Sequence, residues 1–108
     1  MNVLEQINAA LPRLTEAFPQ APKQAVVFGS GLDAARALLE DPRSLPYEAI
    51  PHFPVPGVTG HEGRLWVGRI NGEPVAVLSG RVHYYEGFSL QELIFPVQLL
   101  AHWGVETL

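Results

Sequence analysis

The sequence predicts an α/β fold, and three observations carry that prediction. Apolar residues recur at helical spacing near both ends, at Leu4, Ile7, Leu11, Leu14 and Phe18 and again at Leu90, Leu93, Ile94, Val97, Leu100 and Ala101. Between them lie short β-branched runs of strand length, Gln24-Ala25-Val26-Val27-Phe28 and Val75-Ala76-Val77-Leu78. Asn71-Gly72 separates two apolar runs, the strongest short-range signal for an antiparallel hairpin through a type I′ turn. With 108 residues and no internal repeat, low-complexity tract or linker, the chain reads as one domain over 1–108.

Taken in order, residues 2–18 form an amphipathic helix capped by Asn2, with Pro12 predicted to kink or divide it. Pro19 and Pro22 bracket a loop before the strand Gln24–Phe28. Gly29-Ser30-Gly31-Leu32 follows, and Asp33 to Glu40 reads as a helix with Ala34, Ala35, Leu38 and Leu39 for packing. The chain is expected to break from Asp41 to Pro46, with Pro42 and Pro46 as stops, and Tyr47–Ile50 to form a short strand. Pro51 to Gly63 mixes prolines with Gly57, Gly60 and Gly63, stiff pieces joined by pivots, as in a loop that gates a site. The hairpin strands come next, then a helix from about Leu90 to His102 capped by Ser89, with Glu92 completing a capping box, Pro96 marking a kink and Gly104 a stop. Val105 to Leu108 begins another strand, which reads as the start of something longer and marks the chain as a fragment.

The chemistry concentrates at Ser79-Gly80-Arg81-Val82-His83-Tyr84-Tyr85-Glu86-Gly87, directly after the apolar strand ending at Leu78. In α/β folds, ligands bind outside the carboxyl ends of strands. Alternation along a continued strand puts Arg81 and His83 on one side, two donors that suit a phosphate. A solvated turn with a salt-bridged arginine is the plainer explanation of an arbitrary loop, but the density of functional side chains favours a site. Strand, Gly29-Ser30-Gly31, then helix is a second anion-binding arrangement: glycines admit close approach, amides and the Ser30 hydroxyl donate, and a helix N-terminus favours negative charge. It is neither a P-loop, lacking Gly-Lys-Ser/Thr, nor a full dinucleotide fingerprint, lacking the third glycine, and an ordinary βα turn explains it equally well. His61 sits among the loop glycines; a lone loop histidine is usually only solvated, and His52 and His102 receive no role.

Composition restricts the partners. A formal net charge of −4 offers no bulk attraction to nucleic acid or an anionic membrane, so an anion must be captured locally. Cysteine is absent, which excludes disulfides and thiol chemistry and fits a reducing compartment. No basic leader or apolar run approaching the ~20 residues of a membrane span is visible, and the chain reads as cytoplasmic.

Four blocks then carry a resemblance: Gly29-Ser30-Gly31-Leu32, Gly60-His61-Glu62-Gly63-Arg64-Leu65, Gly80-Arg81-Val82-His83-Tyr84-Tyr85-Glu86-Gly87 and His102-Trp103-Gly104-Val105-Glu106-Thr107-Leu108. In order and spacing they resemble the N-terminal portion of the trimeric, low-molecular-mass purine nucleoside phosphorylases. The resemblance implies a mixed β-sheet flanked by helices, incomplete in this chain. It also implies reversible phosphorolysis of purine (deoxy)ribonucleosides to free base and pentose 1-phosphate, with inorganic phosphate as co-substrate and no cofactor or metal. By resemblance Ser30, His61, Arg81 and His83 bind phosphate and Tyr85 contacts the ribose. His83 and Glu86 are the catalytic pair, Glu86 by orienting His83 or the loop. The complete enzyme is expected to be a homotrimer. Base-reading residues come from later in such chains, which makes this one a phosphate and ribose half-site. Methylthioadenosine phosphorylases share the fold, but Gly-Arg-Val-His-Tyr-Tyr-Glu-Gly is more like the inosine and guanosine enzymes. A non-catalytic phosphate-binding or assembly module of the same fold is the reading from another class.

Overall fold

The computed structural model describes residues 2–28, 37–55, 63–79 and 89–108. Helix α1 spans Val3–Ala17 and is followed by β1 (Gln24–Phe28), β2 (Glu40–Pro46), a 3-10 turn at Tyr47–Ala49, β3 (Arg64–Ile70), β4 (Glu73–Ser79) and α2 (Leu90–Trp103). The strands form one sheet in the order β1-β4-β3-β2. β1 runs parallel to β4, whereas β4–β3 and β3–β2 are antiparallel, so the sheet is mixed.

Both helices start where local chemistry directs. The Glu5 N–H donates to Asn2 Oδ1 at 2.8 Å and the Asn2 N–H to Glu5 Oε1 at 3.4 Å, a capping box that satisfies two otherwise orphaned donors. The Glu92 N–H and Ser89 Oγ repeat it at 3.1 Å, with the return bond from the Ser89 N–H to Glu92 Oε1 at 2.9 Å. Gly104, at φ 127°, ends α2 as read, one residue past the expected His102 at Trp103, and its N–H reaches the Leu100 and Ala101 carbonyls. Pro12 does not divide α1, which continues through it. Pro12 is exposed, and so is Asn8, four residues earlier, whose carbonyl loses its internal partner to proline but can be hydrated.

The stretch after residue 37 departs most from expectation. Glu40–Pro46 is a strand, not a break, and Glu40 opens it instead of closing a helix. The prolines are tolerated because β2 is an edge strand, where a missing N–H need not interrupt a ladder. Asp41 at φ 49° and a register shift between Glu40 and Arg43 form an irregularity around Pro42. Where Tyr47–Ile50 is expected to form a strand, Tyr47–Ala49 is a 3-10 turn, closed by the Ile50 N–H donating to the Tyr47 carbonyl at 3.0 Å. A spacing of three puts Tyr47 and Ile50 on the same side of such a turn, and both are buried.

The hairpin forms as read, with Asn71 at φ 52° and Gly72 at φ 82° in the type I′ turn. One sheet face, through Ala25, Leu45, Leu65, Ala76 and Leu78, packs on α1 and α2, whose Ile7, Leu14, Phe95, Leu99 and Trp103 complete the main core. Phe53 lies between Tyr47 and Phe95, with ring centroids 4.4 and 6.5 Å away. On the other face Val75 and Val77 pack with Leu39 and Trp66. Beside β1, Thr107 makes an isolated parallel bridge to Gln24, so the last residues do enter extended pairing. Among the described residues, no helix is long and apolar enough to cross a membrane.

Candidate functional site

Strand pairing aligns the ends of the site-bearing segments. Phe28, the last residue of β1, pairs with Ser79, the last of β4; Ser79 pairs with Arg64, the first of β3; Arg64 pairs with Pro46, the last of β2. These four residues form one row across one end of the sheet. Adjacent strands lie ~4.8 Å apart, so the row from Phe28 through Ser79 to Arg64 is about 10 Å wide. That is the scale of a small phosphorylated ligand.

Three segments leave from this row. Ser30 follows Phe28 by two residues, Arg81 follows Ser79 by two, and His61 precedes Arg64 by three. Two of the segments also share their other ends. Val55, which precedes 56–62, and Ser89, which follows 80–88, line one groove of about 530 Å³ together with Gln6, His52, Phe53 and Glu92. The described residues flanking 56–62 and 80–88 are thus neighbours on both sides, Arg64 with Ser79 and Val55 with Ser89. Ser30, His61, Arg81, His83, Tyr85 and Glu86 themselves lie outside the described residues, so the structure fixes their stems, not their contacts.

The stems are firmly held. Arg64 Nε donates to Ser44 Oγ at 3.0 Å, tying the first residue of β3 to β2 in a half-buried position. The Tyr47 N–H donates to the Gly63 carbonyl at 2.9 Å, which secures the residue where the His61 segment rejoins the sheet. Ser79 is the one buried polar residue of the described core, at 1% exposure. The sequence reading did not single out the contact between Arg64 and Ser44. Arg64 lies within one of the quoted blocks, but its partner is 20 positions away, and no local pattern marks that pairing. Among the described residues, no group of His, Cys, Asp or Glu side chains is placed to hold a metal ion.

No protein-family model matches the chain. Individual proteins do. Purine nucleoside phosphorylase 1 of Geobacillus stearothermophilus is 42% identical over 102 residues, covering 94% of this chain and 37% of that protein. Among solved structures, isoform 2 of the Schistosoma mansoni purine nucleoside phosphorylase, in complex with cytosine and ribose-1-phosphate, superposes with a TM-score of 0.83 at 33% identity, covering 94% of this chain and 35% of that one. The Schistosoma mansoni enzyme in complex with inosine gives a TM-score of 0.85 at 29% identity, with 97% and 37% covered. The chain therefore spans about a third of the length of the curated relatives it matches.

Proposed function

On the premise that this chain shares sequence and fold with the purine nucleoside phosphorylases over about a third of their length, we propose that it supplies the phosphate and ribose part of a nucleoside phosphorylase site. The reaction is reversible phosphorolysis of purine (deoxy)ribonucleosides to free base and (deoxy)ribose 1-phosphate. The observation that carries this reading is the single row Phe28, Ser79 and Arg64, from which the Ser30, Arg81 and His61 segments all leave.

Each residue has a chemical task in the proposal. Arg81 offers a rigid fork of donors to the phosphate, and His83 adds a donor whose strength follows its protonation. Ser30 and nearby amides complete an anion nest, and His61 closes on it from the glycine-rich segment. Tyr85 contacts the ribose. Breaking the glycosidic bond builds positive charge on the sugar and sends the bond's electron pair onto the base, which takes up a proton. A phosphate oxygen stabilises that positive charge and then bonds to the anomeric carbon. Glu86 orients His83, so that positioning and preorganised charge supply most of the gain. Inorganic phosphate is the only small co-reactant this chemistry requires. The base-reading contacts lie outside these 108 residues, and the complete assembly is a homotrimer.

Titration with inorganic phosphate, followed by an inosine phosphorolysis assay on the same sample, tests the reading. Arg81→Ala should weaken phosphate binding about 10- to 100-fold, the range expected for losing charge-assisted hydrogen bonds. Unchanged phosphate affinity would defeat the clamp assignment. Phosphate binding without turnover, even in the complete assembly, would favour the non-catalytic module.

A further inference from the structure

The tip of the β3–β4 hairpin carries a reactive pair that the proposed phosphate chemistry does not use. Asn71 and Gly72 are both exposed, and the backbone nitrogen of Gly72 can reach the side-chain amide carbon of Asn71 to close a five-membered ring. When that nitrogen gives up its proton and bonds to Asn71 Cγ, ammonia leaves and a succinimide forms. Water then opens the ring, leaving an aspartyl link if it attacks Cγ and an isoaspartyl link if it attacks the main-chain carbonyl. The net change consumes water, releases ammonia and adds a negative charge. A side chain at the second position would shield the nitrogen. Here a Cβ built on Gly72 would meet nothing within 4 Å, so the approach is open.

The turn dictates what ring closure must do. A planar ring eclipses Asn71 Cβ with Gly72 N about the Cα–C bond, which sets ψ of residue 71 near about −120°. That is the value at the first central position of a type II′ turn, whereas a type I′ turn has about +30° there. Both turns need positive φ at this position, and Asn71 already has φ 52°. The required step is therefore a flip of the peptide between residues 71 and 72. Gly72 leaves φ 82° for negative φ, a change glycine makes without steric penalty. Types I′ and II′ both join hairpin strands, so β3 and β4 stay paired throughout.

A carboxylate stands against that flip. The Gly72 N–H donates to Glu40 Oε1 at 3.3 Å, a contact reaching from β2 across 32 positions of sequence. Arg69, which faces Glu40 across the strands, is ion-paired with Asp41. Flipping the peptide turns the Gly72 N–H away from Glu40, and the negative carboxylate opposes a deprotonated nitrogen beside it. A carboxylate is too weak a base to take an amide proton. Both effects of Glu40 therefore slow the reaction.

We propose that Asn71 is a site of spontaneous deamidation and that Glu40 is its brake, holding the turn in the type I′ form. This goes beyond the phosphorylase reading and does not depend on it, since the turn lies at the opposite end of β3 and β4 from the row Phe28, Ser79 and Arg64.

The test incubates the whole chain in mildly alkaline buffer and follows position 71 by peptide mapping with isoaspartyl detection. Glu40→Ala should speed the conversion about fivefold, the factor expected for losing an exposed hydrogen bond. Hydrogen exchange on fresh samples should show a faster Gly72 amide in Glu40→Ala and unchanged amides in the β3–β4 ladder. Equal conversion in the two chains, or none in either, would overturn the proposal. Slower conversion in Glu40→Ala would also overturn it, because Glu40 would then assist the reaction. So would faster exchange along the whole β3–β4 ladder, since general opening of the hairpin would then account for the gain. No readout involves phosphate, so failure here is separable from failure of the phosphorylase reading.

Discussion

Tyr85 and Arg81 divide one proposed ligand between them, and single substitutions separate the shares. Tyr85→Phe should weaken ribose 1-phosphate by about fivefold, the worth of a hydrogen bond of ~1 kcal/mol, while leaving inorganic phosphate unchanged in calorimetric titration. Ser89 is a different kind of residue, since its hydroxyl accepts from the Glu92 N–H and fixes the point where the 80–88 segment meets α2. Ser89→Ala should cost about 1 kcal/mol, read as a lower denaturation midpoint in urea. Both caps were legible because a cap is written within four residues: Asn2 with Glu5, Ser89 with Glu92. Arg64 with Ser44 was not, because that contact exists only once β2 and β3 have paired.

At the scale of elements, legibility followed how much of each element's logic is local. The hairpin is carried by two residues whose positive φ values the sequence signals, and it formed as read. β2 was hidden for three reasons. It buries only Leu45 among seven residues, so no period-two pattern marks it. It contains two prolines, and its irregularity sits at Asp41, a residue that ordinarily signals a turn. Gly68 shows how closely this edge packs: a Cβ there would stand 2.9 Å from Leu39 Cβ and 3.0 Å from the Glu40 carbonyl oxygen. Gly68→Ala should therefore destabilise by about 1–3 kcal/mol, the usual cost of overpacking, measured by chemical denaturation. Leu39→Ala in the same background should not recover that loss, because alanine keeps the Cβ and the Glu40 oxygen belongs to the main chain.

Across the whole molecule, the row that gathers the site segments is a product of long-range register, and no stretch of sequence displays it. Phe28 and Ser79 are 51 positions apart and yet are direct partners. The resemblance in the four blocks named the residues; the pairing explains why they can meet. Because every stem belongs to one sheet, site and core should be lost together. Trp103 lies in the core between sheet and helices and Trp66 packs on the opposite face, so the chain carries a reporter on each side. In urea, Trp66→Phe and Trp103→Phe should each leave a fluorescence transition whose midpoint coincides with the far-UV transition of the same variant; separated midpoints would show that the faces unfold independently. The Asn71-Gly72 turn sits at the far end of the same strands, about 20 Å from the row at ~3.3 Å per residue along β3. The chain has no cysteine, and Glu73 beside the turn is exposed. Glu73→Cys would thus give a unique thiol for tethering the protein to a sensor surface with the three segments facing outward into the sample.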